Sequence, residues 1–194
     1  MSEPSFRGDS PALRAGRAFQ VRRALAAGLV LAAAAGPLRA ADLVLKDAPA
    51  HVYFSPQGGA EAALTAAIAK ARQSILVLAY TFTSAPVAIA LKAAHDRGVA
   101  VRVILDHSQR TERYSGLTYL VHAGIPAWID AAHPIAHNKV MVIDGRTVVT
   151  GSFNFTRAAE QKNAENLLII ECPELADLYA RNWELHRGHS EPVD

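Results

Sequence analysis

His137-Asn138-Lys139-Val140-Met141-Val142-Ile143-Asp144-Gly145, followed by Thr147 to Thr150 and then Gly151-Ser152-Phe153-Asn154, is the stretch that decides the fold. The apolar run from Val140 to Ile143 is too short for a helix and ends at Asp-Gly. It therefore predicts a buried strand entering a tight hairpin, with Thr147 to Thr150 as the return strand. Strand parity puts His137 and Lys139 on one side, and Ser152 and Asn154 repeat that spacing just beyond the return strand. An imidazole, an ammonium, a hydroxyl and an amide thus meet at one end of the hairpin. Lys supplies charge, Ser and Asn supply hydrogen bonds, and His can attack or shuttle a proton, so an anionic, oxygen-rich group such as phosphate is the natural ligand. Asp144 is seven residues from His137, out of phase on the strand, and begins the turn. It reads as a structural or supporting carboxylate rather than a base.

Outward from the hairpin the chain alternates strands and helices. His51 to Phe54 is a short strand, and Gly58-Gly59 opens an Ala-rich helix through about Arg72. Ser74 to Tyr80 and Ala100 to Leu105 are apolar enough to be strands buried on both faces. Between them Ser84 caps a helix, Ala85 to Arg97, with Pro86 in its first turn and Gly98 after it. His107 to Tyr114 is a polar loop, Ser115 to Ala123 a short helix, Pro126 to Ile129 an edge-like strand, and Asp130 to Ala136 a loop into the hairpin. Beyond Asn154 come helical turns at Thr156 to Gln161 and a strand at Leu167 to Glu171. A last amphipathic helix starts at Pro173, with Leu175, Leu178, Tyr179, Trp183 and Leu185 on its packing face. Such alternation predicts an α/β fold with a mostly parallel sheet covered by helices on both faces.

The first forty residues read as separate from that fold. Arg7, Arg14, Arg17, Arg22 and Arg23 precede an apolar run, Ala24 to Gly36, that ends at Pro37 and the small-residue site Leu38-Arg39-Ala40. The run is too short to span a bilayer, so residues 1–40 are expected to be a cleavable signal peptide and 41–194 a single catalytic domain in the periplasm or outside the cell. Of the 20 basic and 18 acidic residues, six arginines and two acids lie in that leader, leaving fourteen against sixteen and a net charge of −2. General electrostatic attraction to nucleic acid is therefore unsupported, and binding would need a local patch, for which Arg110, Arg113, Arg146, Arg157 and Lys162 are candidates. The one cysteine, Cys172, rules out an intramolecular disulfide and reads as a buried, inert thiol.

The pattern His137-x-Lys139-x4-Asp144, then Gly151-Ser152-x-Asn154 and Glu165-Asn166, resembles the HKD motif of the phospholipase D superfamily. Likeness continues upstream through Phe54-Ser55-Pro56, Ala79-Tyr80-Thr81-Phe82-Thr83-Ser84 and Arg97-Gly98-Val99-Ala100-Val101. Nearly the whole chain after residue 40 is similar to the small, single-motif bacterial endonucleases of that superfamily. The resemblance implies a phospholipase D-like fold and a catalytic set of His137, Lys139, Asp144 and Glu165. His137 would be the nucleophile, forming a phosphohistidine. Glu165 would hydrogen-bond the second imidazole nitrogen, and Lys139, Ser152 and Asn154 would bind the phosphate oxygens.

Departure of the leaving group calls for a second imidazole as general acid. None of His51, His95, His107, His122, His133, His186 and His189 has a Lys two residues on, so the second His137 is expected from a partner in a two-fold homodimer. No clustered Asp/Glu or Cys/His set appears at metal-ligand spacing, which leads to the expectation of no metal and no cofactor. The expected substrate is nucleic acid, DNA or RNA, with no stable membrane association once the leader is removed. The rival enzymatic reading is a phospholipid or cardiolipin hydrolase, which Phe153, Phe155 and Trp128 would suit if exposed near the site, although core packing is the expected fate of these side chains. A third reading is a catalytically silent nucleic-acid-binding protein.

Overall fold

The computed structural model describes residues 40–194. Apart from Ala40, the expected leader lies outside the described residues. Eight strands form one sheet: β1 (Ala50–Ser55), β2 (Ser74–Ala79), β3 (Ala100–Asp106), β4 (Ala127–Asp130), β5 (Lys139–Ile143), β6 (Thr147–Gly151), β7 (Glu165–Glu171) and β8 (Glu191–Val193). Their order across the sheet is β1-β7-β6-β5-β2-β3-β4-β8. The helices are α1 (Ala60–Lys70), α2 (Ala85–Asp96), α3 (Leu117–His122), α4 (Arg157–Gln161) and α5 (Pro173–His189).

The helices form where their ends are signalled. Ser84 Oγ accepts the Val87 N–H at 3.3 Å and Pro86 occupies the first turn of α2, which buries Val87, Leu91 and Ala94 along one stripe. α1 starts after Gly59, held at φ +77°, and buries Ala60, Leu64 and Ile68 at four-residue steps. These stripes cover one face of the sheet together with Val77, Met141, Phe153 and Phe155. The neighbouring strand positions, Leu76, Leu78, Val140 and Val142, point to the other face and meet Ala176 and Trp183 of α5. The Trp183 Nε1–H donates to the Val77 carbonyl at 2.8 Å, so the largest side chain on that face leaves no buried donor unpaired.

The sheet is mixed and flanked by helices on both faces, but it is not mostly parallel. Only β2-β3 and β3-β4 run parallel among the described strands, and the other five pairings are antiparallel. The physical reason lies in the connections. Parallel neighbours need a long crossover, which α2 and α3 supply, whereas β5 and β6 are joined by a tight turn with no helix between them. The Asp-Gly hairpin forms as expected: Asp144 and Gly145 take φ +52° and +61°, and the Arg146 N–H donates to the Ile143 carbonyl at 3.0 Å. β4 is not an edge strand either, because β8 pairs with it antiparallel.

Candidate active site

Register brings the polar residues of the motif to one end of the sheet. Lys139 pairs with Ala79 at the C-terminal end of β2, and Glu165 pairs with Ser55 where β7 begins. Between them Gly151 ends β6 opposite Leu167. Lys139 shares a strand face with Met141 and Ile143, while Glu165 shares the same face of the sheet with Leu167 and Ile169. The ammonium and the carboxylate therefore look into one space above the first core. Burial pushes Lys139 below its ordinary pKa, and the nearby Glu165 charge opposes that shift.

Lys139 is 7% exposed, and its Nζ donates to the His137 carbonyl at 3.1 Å. It also lies 5.1 Å from the centre of the Tyr80 ring. The same ring meets the His137 imidazole at 4.7 Å between centroids, tilted by 55°. Backbone pairing continues past the end of β2, where the Tyr80 N–H donates to the Asn138 carbonyl at 2.7 Å. Tyr80 is thus a wall shared by the imidazole and the ammonium, a role that nothing local in the sequence announces. A buried ammonium on an aromatic face, with one carbonyl as its hydrogen-bond partner, keeps two N–H donors for an incoming anion.

Ser152 and Asn154 reach the same end by a different device. Gly151 has φ +143°, and a Cβ there would stand 2.3 Å from the Asn166 carbonyl oxygen, so only glycine allows β6 to close on β7 at this point. The closure lets Ser152 Oγ donate to Glu165 at 2.6 Å while accepting the Asn166 backbone N–H at 3.0 Å. Asn154 is set between Phe153 and Phe155, both fully buried, and the Phe155 carbonyl accepts the N–H groups of Thr83 and Ser84 at 2.9 and 2.8 Å. The Asn154 Oδ1 atom is buried without a hydrogen-bond partner. A buried amide atom left unpaired costs about 1–3 kcal/mol, which is expected where a ligand completes the set.

Glu165 was expected to hold the His137 imidazole. Its carboxylate instead takes Ser152 Oγ and, at 3.0 Å, the Asn163 side-chain amide. Asp144 does not join the cluster at all. It sits at the opposite end of β5, about 16 Å along the strand from Lys139 at the usual rise. There its carboxylate accepts the backbone N–H groups of Arg72, Gln73 and Ser74 at 2.7 to 3.1 Å. Burial raises its pKa, but those hydrogen bonds outweigh burial and hold it below the ordinary value. Of the basic candidates, Arg146 lies at that far end, Arg110 is paired with Glu191 at 2.7 Å, and Arg113 lies over the Tyr114 ring. Arg157 and Lys162 remain on exposed α4 and its end, close in sequence to Asn154.

A second polar cluster was missed in the sequence. Asp130, His133, His186 and His189 offer ligand atoms that all lie within 4.8 Å of one another, contrary to the expectation that no metal-ligating set exists. Its signal is the pair of three-residue spacings Asp130-x-x-His133 and His186-x-x-His189, which the packing of α5 on β4 and the pairing of β8 with β4 bring together.

A family described as cardiolipin synthase, PLD-like domain, matches residues 64–186. Phospholipase D of Rickettsia conorii is 46% identical over 130 residues, 67% of this chain and 65% of that protein. The chain therefore spans just under two thirds of the length of such relatives. Mitochondrial cardiolipin hydrolase of Mus musculus is 35% identical over 121 residues, 62% of this chain and 55% of that one. Among solved structures, the phospholipase D family member Nuc of Salmonella typhimurium is 38% identical with a TM-score of 0.73, covering 76% of this chain and 99% of that chain. NucT of Helicobacter pylori has the same fold at 24% identity and a TM-score of 0.71, covering 76% of this chain and all of the other. With His137, Lys139, Ser152, Asn154 and Glu165 gathered at one sheet end and a family match over more than half of its length, the chain belongs to the phospholipase D superfamily.

Proposed function

We propose that the protein is a phosphodiesterase that hydrolyses DNA or RNA through a phosphohistidine at His137, in a site completed by a second copy of the chain. The observation that carries this reading is the unfilled binding capacity beside His137: a buried ammonium with free donors and a buried amide atom without a partner. His137 is exposed and rests on Tyr80, so its ring can meet a substrate. One imidazole nitrogen attacks phosphorus as the bond to the leaving oxygen breaks. The departing alkoxide takes a proton from the partner's imidazole, and water then cleaves the P–N bond, returning a proton to that imidazole and releasing a phosphomonoester. Lys139 and Asn154 stabilise the charge that grows on the non-bridging oxygens. Ser152 and Glu165, bonded to each other, fix the floor of the site. Asp144 supports it from the far end of the strand. No metal is needed at the reacting atoms. Export of the chain by its leader, with the nuclease acting in the periplasm or outside the cell, belongs to the same proposal.

Support for nucleic acid comes from likeness to Nuc over almost the whole of that chain. A second reading, hydrolysis of a phospholipid diester, is favoured by the names of the Rickettsia and mouse relatives. Against it, Phe153 and Phe155 are core residues and Trp128 packs edge-on to Trp183, so none of them offers a lipid-binding surface. The test offers purified protein plasmid DNA, RNA and cardiolipin vesicles, with and without excess EDTA, beside His137→Ala. Nucleic-acid cleavage that survives EDTA and is lost in the variant is the expected result. Lipid turnover alone would move the protein to the second reading, and no turnover of any substrate by folded dimer would overturn both.

A further inference from the structure

The second cluster is built like a metal site. Asp130 ends β4 with its side chain fully buried, and its Oδ2 faces His133 Nδ1 at 3.0 Å, His186 Nδ1 at 2.7 Å and His189 Nε2 at 3.3 Å. Three ring nitrogens therefore converge on one carboxylate, whose Oδ1 also takes His133 Nδ1 and the Ala132 N–H, each at 3.1 Å. The three rings crowd one another with centroids 5.1 to 5.3 Å apart. Imidazoles turned inward on one buried carboxylate can each give a ring-nitrogen lone pair to an ion seated between them. A four-coordinate zinc ion takes N and O ligands at about 2.0–2.2 Å, which sets neighbouring ligand atoms about 3.4 Å apart. The contacts to Asp130 Oδ2, 2.7 to 3.3 Å, lie just below that spacing, and the four ligand atoms all fall within 4.8 Å of one another.

We propose that Asp130, His133, His186 and His189 bind one divalent cation of the zinc class, with three imidazoles and a carboxylate closing a tetrahedral shell. Such a set suits Zn2+ rather than Ca2+ or Mg2+, which prefer shells made of oxygen. With all four positions filled by protein, the ion is structural. It ties the C-terminal end of α5 and the adjoining β8 to the loop that follows β4. That loop runs directly to the nucleophile: the buried Asp106 carboxylate accepts the Ala136 N–H at 2.7 Å, one residue before His137. The ion thus anchors one end of a six-residue strap and Asp106 anchors the other. This inference stands apart from the hydrolase reading, because the cluster shares no residue with the phosphate-binding end.

The experiment is metal analysis of tag-free, full-length protein after exhaustive dialysis against chelator and reloading with Zn2+, then removal of free ion. About one equivalent of zinc per chain is expected, falling below a tenth in His186→Ala/His189→Ala. The single variant His133→Ala, which alters a half-exposed loop side chain and spares the helix, serves if the double variant does not fold. Zinc at a hundredfold excess over its dissociation constant should raise Tm by about 5–10 °C in the unaltered protein and leave the variants unmoved. Co2+ in its place should give the intense visible bands of a four-coordinate N/O site. Substoichiometric zinc, equal uptake by the variants, or a six-coordinate Co2+ spectrum would overturn the proposal. Loss of hydrolysis alone would bear on the activity and not on the ion.

Discussion

The two ends of β5 carry polar residues of the same motif and treat them in opposite ways. At Asp144 the carboxylate is saturated by backbone N–H groups of the turn between α1 and β2, and it holds that turn to the hairpin. At Lys139 a buried ammonium is left with one carbonyl and an aromatic face. One strand thus joins a finished structural contact to an unfinished one. Reactivity is to be sought where hydrogen-bonding capacity has been left open at a cost in stability, and architecture where it has been closed.

The sharpest way to break this contrast is His137→Ala. The side chain is exposed and contributes little packing, so Tm should stay within about 2 °C. Hydrolysis of whichever diester the protein accepts should fall by at least ~10³-fold, since the covalent step disappears. Activity within tenfold of the unaltered protein, measured in single-turnover reactions, would remove His137 from the chemistry.

Lys139→Met should come next in size. It removes charge stabilisation at the phosphate, for a loss of about 10²–10³ in kcat. Its effect on folding should be of opposite sign. Burial has lowered the folded pKa of Lys139 below 10.5, so the folded state holds that proton less tightly and pays for the charged form at every pH below the folded value. The Met variant should melt at the same temperature as the unaltered protein or higher. The same shift puts the alkaline fall in activity below pH 10.5, and an alkaline limb that is unchanged in Lys139→Arg would separate it from Lys139.

Asp144→Asn tests the saturated end. Losing a charged acceptor shared by three N–H groups near the surface should cost about 2 kcal/mol, while activity per folded molecule stays within about threefold. The folded pKa lies below the ordinary 3.8, so the stability that Asp144 contributes is present above 3.8 and is lost as pH falls through the folded value. Acid titration of Tm should therefore be shallower in the Asn variant. A large loss of kcat at unchanged Tm would place Asp144 in the chemistry after all.

What could be read from the sequence follows how far each signal reaches along the chain. The Asp-Gly turn and the Ser84 cap are local, and each stands where it was expected. The direction of the strands was misjudged because the helix-linked steps from β2 to β4 give parallel pairs, whereas β5 and β6 form a hairpin and β6 pairs antiparallel with β7 although α4 lies between them. β8 is three residues containing a proline, too short and too broken for any periodic signal. Because it carries the end of α5 to β4, missing it also hid the histidine cluster, whose members lie 53 residues or more apart in two pairs. The partner of Glu165 was a matter of side-chain reach across β6 and β7, which sequence spacing does not contain.

The smallest effect belongs to Ser152, and it is the one that decides where the open end stops. Its hydroxyl is used three times within the protein, donating to Glu165 at 2.6 Å and accepting the Asn166 backbone N–H at 3.0 Å and its side-chain amide at 3.3 Å, so it has no capacity left for a phosphate. By the contrast drawn between the ends of β5, Ser152 sits on the finished side although it stands among the unfinished residues. Ser152→Ala should then cost about 1 kcal/mol in stability and lower kcat by less than about tenfold, with KM nearly unchanged. Asn154→Ala is its internal reference, since the unpaired Oδ1 marks that side chain as open. If Ser152→Ala instead matched Asn154→Ala in kcat, the hydroxyl would have to leave Glu165 on substrate binding, and the carboxylate it releases would be free to turn toward His137.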